Sequence, residues 1–357
     1  MFTKKIYPNE ISKQELDRYL GMGWYRMGQG IFTCHFLSFG EHIYSALWLR
    51  LDLNNFSFKK SQRRLFRKNS HFEIKIRPAH INRQKEDLYQ KYRWHSFKGN
   101  ISISLRDSLL DGKRYNIYDT LECCLYDGDK LIAVSFFDRG KDTLASIMGM
   151  YDPDYQAYSL GYFTMLLEIE YGIDNGYAYY YPGYIVPGYP RFDYKARIGT
   201  VDYYQIASKQ WLPFEGAEVV DYPLQNMEKR LELLHTELKR YGISSRIYFY
   251  PLYETHIFSF WEIDYLKYPV FLWCDTLDGS SEYLLVVYDL SKQTFLLLQC
   301  ELLGKLPVFL EELFEDRQGE QPTFLETLVV KHTIVIEEST TDFAISLSKL
   351  KRLRRFK

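Results

Sequence analysis

The chain has 357 residues and a formal net charge of -1, with 46% hydrophobic and 25% charged residues, a balance that excludes a disordered polymer and a protein coating nucleic acid over its whole surface. No apolar run approaches the roughly 18 residues of a membrane span, and the lysine-bearing N-terminus lacks an apolar signal core, so the sequence predicts a cytoplasmic protein without a membrane partner. The length predicts two or three domains, and five scattered cysteines without C-x-x-C spacing predict free thiols and no tetrahedral zinc site.

In chain order, KQELDRYL (13–20) predicts a short helix stopping at Gly21, where glycine permits a left-handed cap. Between Gly30 and Leu53, YSALWLRLDL alternates its apolar side chains as a strand does. Residues 59–68, KKSQRRLFRK, carry six basic side chains in ten positions, and helical spacing puts Lys60, Arg64, Arg67 and Lys68 on one face. Residues 84–97 predict an amphipathic helix with Leu88, Tyr92 and His95 on its inner stripe. TLECCLYDGDKLIAVSFFDRG predicts two strands turning at Asp127-Gly128-Asp129, and DTLASIMGMYDP a third that Pro153 interrupts.

A helix follows in SLGYFTMLLEIEYG, with Leu160, Phe163, Leu167 and Tyr171 in line and a stop at Gly172 or Gly176. YAYYYPGYIV predicts a strand running into a proline- and glycine-rich loop. Residues 224–241 predict an amphipathic helix with Met227, Leu231, Leu234 and Leu238 in register. Beyond it the chain predicts β structure, with a hairpin around Leu290 to Gln293, a strand in TLVVKHTIVIEE and a frayed basic tail, KLKRLRRFK. Thirty-two tyrosines and 24 phenylalanines predict a thick aromatic core, or surfaces where rings stack on bases or substrates.

The chemically informative unit is a strand, then YDPDYQAYSLG, then a helix, because backbone amides at a helix start hold phosphate or developing negative charge. Gln156 to Gly161 resembles the Q/R-x-x-G-x-G/A loop of GNAT acetyltransferases, with Ser159 in place of the first glycine; by itself it also fits a turn capped by Ser159. A longer match narrows the reading. MYDPDYQAYSLGYFTMLLEIEYG, followed by YYYPGYIVPGYPRFDYKARIG, resembles the C-terminal catalytic region of arginyl- and leucyl-tRNA protein transferases. DGDKLIAVSFFD is similar to that family's D-G-K-L-I-A-V strand pair and SQRRLFRKN to its S-x-R-x-x-x-x-x-N segment, so the resemblance covers about residues 18–215. The family's N-terminal cysteine cluster is missing: Cys34 stands alone, and Cys34, His35 and His42 are expected to pack or lie at the surface rather than bind metal.

The resemblance implies an α+β fold: a GNAT-like core of mixed, mostly antiparallel sheet flanked by helices, an N-terminal subdomain and a β-rich C-terminal extension. The corresponding division is 1–83, 84–244 and 245–357. The implied activity moves arginine or leucine from aminoacyl-tRNA to the α-amine of a protein or peptide N-terminus beginning with Asp or Glu, marking it for degradation, with no cofactor. The implied donor loop is Gln156, Ser159, Leu160 and Gly161. Asp152, Ser159, Tyr181 and Tyr184 are the implied catalytic residues, and Arg191, Lys195 and Arg197 the acceptor's carboxylate partners. Lys59, Lys60, Arg63, Arg64, Arg67 and Lys68 are placed for tRNA phosphates, with Tyr89, Tyr92 and Trp94 as stacking platforms. A core tyrosine at 181, a turn residue at 152 and solvated basic segments at 59–68 and 191–197 are the plainer readings. An acetyl-CoA-dependent N-acetyltransferase and a non-catalytic binding protein on the same scaffold are the other functions open at this point. No G-x-S-x-G, H-E-x-x-H, P-loop or dinucleotide-binding fingerprint is present.

Overall fold

A computed structural model describes residues 3–39, 42–98, 101–216, 222–255, 263–276, 282–303 and 322–354. The chain starts with β1 (Thr3–Ile6) and α1 (Lys13–Gly21), whose first turn is closed by a capping box between Ser12 and Glu15. Gly21 is the last helical residue; the left-handed position expected there falls on Gly23, at φ 73°. β2 (Tyr25–Met27) and β3 (Gly30–Cys34) complete a small sheet with β1, and β4 (Phe36–Phe39) pairs with β5 (His42–Ser45). The single strand expected in YSALWLRLDL is therefore two, because after β5 the chain moves at Ala46 into a different sheet as β6 (Leu47–Asp52).

That second sheet forms the centre of the molecule. It takes in β6, then β7 (Glu73–Pro78) after helix α2 (Lys60–Asn69), and, past α3 (Arg83–Phe97) and α4 (Leu105–Leu110), the strands β8 (Thr120–Asp127), β9 (Lys130–Arg139) and β10 (Thr143–Tyr151). Helix α5 (Leu160–Asp174) then carries the chain over to β11 (Tyr179–Ile185), and a hairpin of β12 (Val201–Gln205) and β13 (Gln210–Pro213) closes the edge. The order is β13-β12-β6-β11-β10-β9-β8-β7, antiparallel throughout except for β10 and β11. The fold is thus α+β, and β6 and β7, from before residue 84, share a sheet with the strands after it.

Alternation along the strands divides the packing between two faces. Cys123 and Leu125 on β8 join the core beneath α5, whereas Cys124 joins Leu88 and Tyr89 of α3 on the opposite face. Helix α5 is buried on most of its circumference, including Leu160, Phe163, Leu166, Leu167 and Ile169, and ends at Gly176 with φ 74°. Helix α6 (Pro223–Arg240) lays Met227, Leu231, Leu234 and Leu238 on a five-stranded antiparallel sheet of β14 (Arg246–Phe249), β15 (Val270–Thr276), β16 (Glu282–Asp289), β17 (Thr294–Leu302) and β18 (Leu328–Glu337). The expected hairpin turns at Gln293, with φ 55°. Helix α7 (Thr340–Arg354) packs alongside, so the tail expected to fray is helical as far as Arg354, and residues 355–357 lie outside the described residues.

The parallel pair is a short contact in the central sheet. β10 and β11 match only at Thr143–Tyr179, Leu144–Tyr180 and Ala145–Tyr181. β10 then bulges between Ser146 and Met148, and β11 shifts register between Tyr180 and Gly183, where Pro182 has no N–H to give and Gly183 takes φ 93°. The strands part, leaving carbonyls without ladder partners. The Tyr25 hydroxyl, stacked by its ring on Trp48 at 5.0 Å, sits between the carbonyls of Ser146, at 2.7 Å, and Tyr181. Replacing that buried hydroxyl strands polar backbone, so Tyr25→Phe is expected to cost about 1–3 kcal/mol in urea unfolding. An unchanged midpoint would mean the hydroxyl does not support the parting.

Candidate active site

Beyond the parting, two chambers of about 610 Å³ each open between the diverging strands. Phe97, Ser146, Ile147, Arg191, Phe192 and Lys195 border both, so the two spaces adjoin at these side chains. The first chamber has Ser135, Ser146 and Gly149 on its sheet side. One wall is the start of α5, with Ser159, Gly161 and Thr164, and the other the end of α3, with Tyr92, His95 and Ser96. The second chamber is a box of rings: Tyr25, Phe32, Phe39, Trp48, Tyr184 and Tyr189. None of the described residues lining either chamber is Asp or Glu.

The loop before α5 is a 3-10 turn over Pro153–Tyr158, and it brings Gln156, Ser159 and Gly161 to the first chamber while Leu160 is buried in the core. Ser159 does not cap the helix with its side chain. It adopts the left-handed conformation, φ 53° and ψ 42°, at the position where GNAT loops carry glycine. Leu160 and Gly161 follow in the first turn, where amides have no intrahelical acceptor and the helix dipole favours negative charge.

Of the remaining residues expected at the site, Tyr184, Arg191 and Lys195 line the chambers and Asp152, Tyr181 and Arg197 do not. Burial pushes the Tyr184 phenol up to about 12. Arg191 donates to the Ser96 carbonyl at 2.7 Å and stands 3.8 Å over the Phe97 ring. The Lys195 ammonium lies between the rings of Tyr184, at 5.1 Å, and Phe192, at 5.5 Å, and burial among them pushes it down to about 8. A Cβ on Gly183 would stand 2.9 Å from its Nζ, so the glycine in the bulge gives that ammonium its room.

Tyr181 points the other way, packing edge-on to Trp211 at 5.5 Å, and burial pushes its phenol up to about 12. Asp152 begins the 3-10 turn. Burial works to raise its carboxyl, but Lys130 at 2.8 Å, Lys91 and the Asp154 amide outweigh that and hold it at about 2. It is a fixed anion that ties α3 and β9 to the loop before α5. Arg197 contributes its carbonyl, which accepts from the Tyr162 hydroxyl at 3.1 Å.

Helix α2 runs along the rim. Its buried Gln62 donates to Ile198 O at 2.8 Å and to the Tyr162 hydroxyl at 3.0 Å, and Asn69 and Lys68 reach the carbonyls of Tyr158 and Ala157. Lys59, Lys60, Arg63, Arg64, Arg67 and Lys68 are all exposed, and none forms an ion pair within the described residues. On α3, Tyr89 is buried, Tyr92 is half-buried at the wall of the first chamber, and Trp94 is 62% exposed with the Arg93 guanidinium 5.1 Å over its ring; His95, expected on the inner stripe, is exposed at the chamber rim.

Two residues that sequence reasoning passed over bear on the site, one lining it and one buried beneath it. One is Tyr25, which nothing distinguishes among 32 tyrosines. The other is Glu168, fully buried on α5, whose Oε2 accepts from the Tyr180 hydroxyl at 2.8 Å; burial pushes its carboxyl up to about 7, against the hydroxyls of Ser135, Tyr180 and Ser146. A lone acid inside the apolar run FTMLLEI was its signal. Cys34 and His35 are buried, burial pushing the thiol up to about 12 and the imidazole down to about 3. Among the described residues no three His, Cys, Asp or Glu side chains are grouped to hold a metal ion.

The family model for the arginine-tRNA-protein transferase C terminus matches residues 70–205, from just before β7 to the end of β12. An aspartate/glutamate leucyltransferase of Leptospira interrogans is 30% identical over 230 residues, covering 63% of this chain and 81% of that protein. The chain belongs to the aminoacyl-tRNA protein transferase family. Aspartate/glutamate leucyltransferase of Campylobacter jejuni is 30% identical over 196 residues, covering 53% of this chain and 80% of the relative. Among solved structures, the C-terminal domain of a putative lysylphosphatidylglycerol synthetase from Agrobacterium fabrum matches at 12% identity and TM-score 0.35, covering 47% of this chain and 58% of that one. L-PGS from Bacillus licheniformis matches at 11% and 0.31, covering 50% and 52%. These likenesses are too slight to fix the fold of the transferase core. Among the described residues no helix is long and apolar enough to cross a membrane.

The Asp152 anchor has a pH signature. Its folded carboxyl sits below the ordinary 3.8, so its stabilisation is complete above that value and is lost as pH falls from about 4 toward 2. Thermal unfolding of Asp152→Asn is therefore expected to fall less steeply over that window than wild type; parallel curves would contradict the anchor.

Proposed function

We propose that this transferase moves an uncharged, apolar amino acid, leucine rather than arginine, from aminoacyl-tRNA to the α-amine of a protein N-terminus. The observation that carries this reading is the pair of chambers meeting at one junction without an acidic side chain. An arginyl guanidinium entering there would lose its water and find Arg191 and Lys195 instead of a carboxylate, an arrangement that costs several kcal/mol. A leucyl side chain loses nothing in either chamber.

In this reading the first chamber takes the aminoacylated end of the tRNA. The amides of Leu160 and Gly161 support a phosphate or the oxyanion of the tetrahedral intermediate, with Gln156 and Ser159 holding the donor in place. The exposed basic face of α2 contacts tRNA phosphates and Trp94 offers a ring to an unpaired base. The second chamber takes the acceptor's first residue. Arg191 suits an Asp or Glu carboxylate, as the names of the leucyltransferase relatives suggest, and Tyr184 lines the path of the amine. Tyr181 and Asp152 act behind the site, as supports of β11 and the donor loop.

The β10–α5–β11 crossover with its parted strands supports a GNAT-like core. We divide the chain into a transferase unit, comprising 1–83 and 84–244 joined through one sheet, and a C-terminal extension, 245–357. Charged tRNA as donor supports a cytoplasmic setting for the work. The family resemblance supports a role for the new N-terminal residue in marking the protein for degradation; equal half-lives of an Asp-starting reporter with and without this enzyme would remove that role.

The direct experiment supplies pure protein with leucyl- or arginyl-tRNA and peptides starting with Asp, Glu, Lys or Leu. Leucine is expected on the Asp and Glu peptides and arginine on none. In the same assay, Arg64→Glu with Arg67→Glu is expected to raise KM for tRNA roughly 10-fold. Arginine transferred as well as leucine would overturn the donor assignment, and no transfer from either tRNA would overturn the activity.

A further inference from the structure

We propose that Lys195 is the general base and then the general acid of the transfer. This deepens the reading above and rests on it. The geometry carries the assignment: Lys195 is one of the few residues bordering both chambers, so it stands where an acceptor amine from one side meets a donor ester from the other. Gly183, in the β11 bulge, leaves space for the ammonium that any side chain would fill, and no carboxylate among the described residues pairs with it.

The other groups facing that junction are poor proton carriers. Arg26 is committed to Asp138 at 2.8 Å and Arg191 to the Ser96 carbonyl at 2.7 Å. Burial raises the phenols of Tyr25, Tyr184 and Tyr194. Glu168 lies behind the chamber surface and does not line it. His95 is at the exposed rim of α3, away from the second chamber. Lys195 alone combines access to both sides with a proton that aromatic burial has loosened.

The proton accounting closes on this one group. A protein N-terminus enters partly as ammonium, its pKa being about 7.7–8.0. Neutral Lys195 takes one proton from it. The free amine attacks the ester carbonyl, forming the C–N bond and placing negative charge on the carbonyl oxygen. Lys195 returns its proton to the ribose oxygen as the C–O bond breaks, accepts the second proton shed by the new amide nitrogen, and releases it to water. The net change is ester plus ammonium to amide, free ribose hydroxyl and one proton.

The test is transfer from leucyl-tRNA to an Asp-starting peptide at saturating substrate across pH 6–9.5. Wild-type kcat is expected to rise with pH to an inflection near 8. Lys195→Arg keeps the positive charge but is expected to lose about 100-fold or more in kcat, with KM for the peptide little changed and the inflection gone. Lys195→Cys treated with 2-bromoethylamine regains an amine at this position; the five native cysteines are buried, so the new thiol is the one that reacts. That variant is expected to recover rate with its inflection moved to lower pH, a response that a packing role would not give. The inference is overturned if Lys195→Arg keeps its rate and inflection, or if the amine fails to restore activity in folded protein. A wild type inactive with every charged tRNA would instead overturn the functional reading itself.

Discussion

The site exists because β10 and β11 stop pairing after three residue pairs and the Tyr25 hydroxyl shares its one proton between the carbonyls of Ser146 and Tyr181 where they part. A parallel pair that continued would close the sheet and leave no chamber. Two bulges at the same level turn the strands away from each other, and Pro182-Gly183 makes the change permanent: one residue cannot donate to a ladder, and the next takes a backbone angle that favours glycine. The N-terminal segment is thereby part of the architecture of the chambers, since it supplies the wedge. Arg26, beside it, carries the same connection deeper, bonding to Asp138 and Thr120 on the central sheet.

Charge is sorted around this opening. Two acidic side chains near it are kept out of the chambers, Asp152 pinned between Lys91 and Lys130 and Glu168 sealed beneath the surface. The chambers are left aromatic and cationic, and the basic face of α2 continues that field along the rim. A polyanion carrying an apolar amino acid, and a protein N-terminus carrying a carboxylate, both match such a surface. Because α2 is hydrogen-bonded to both the 153–158 turn and the 197–198 segment, the element that would hold tRNA also sets the two loops of the site.

Much of this was legible before any coordinates. The elements with strong periodicity, α2, α3, α5, α6 and the β8–β9 hairpin, stand within a residue or two of their expected bounds, because their apolar spacing reflects the faces they bury. The short strands were not: β1, β7, β12 and β13 have little pattern of their own and owe their existence to the neighbours they pair with. In the site, family motifs led to Ser159, Tyr184, Arg191 and Lys195, all of which line the chambers. The same motifs contain Tyr181 and Asp152, which face elsewhere. A motif records that residues are adjacent in sequence, whereas in a strand successive side chains point to opposite faces, so Tyr181 and Tyr184 part company. Tyr25 needed the three-dimensional arrangement, because the two carbonyls it faces belong to strands more than a hundred residues further along the chain.

The measurement that bears most directly on this account is a crystal structure with a stable donor analogue, 3′-leucylamido-3′-deoxyadenosine, and a peptide beginning with Asp. The account predicts the leucyl amide at the junction beside Lys195 and Ser146, the adenosine toward Gly161 and α2, and the aspartyl side chain among the rings of the second chamber. Analogue bound away from the parted strands, for example in the groove lined by Glu228, Glu232 and His235, would contradict it.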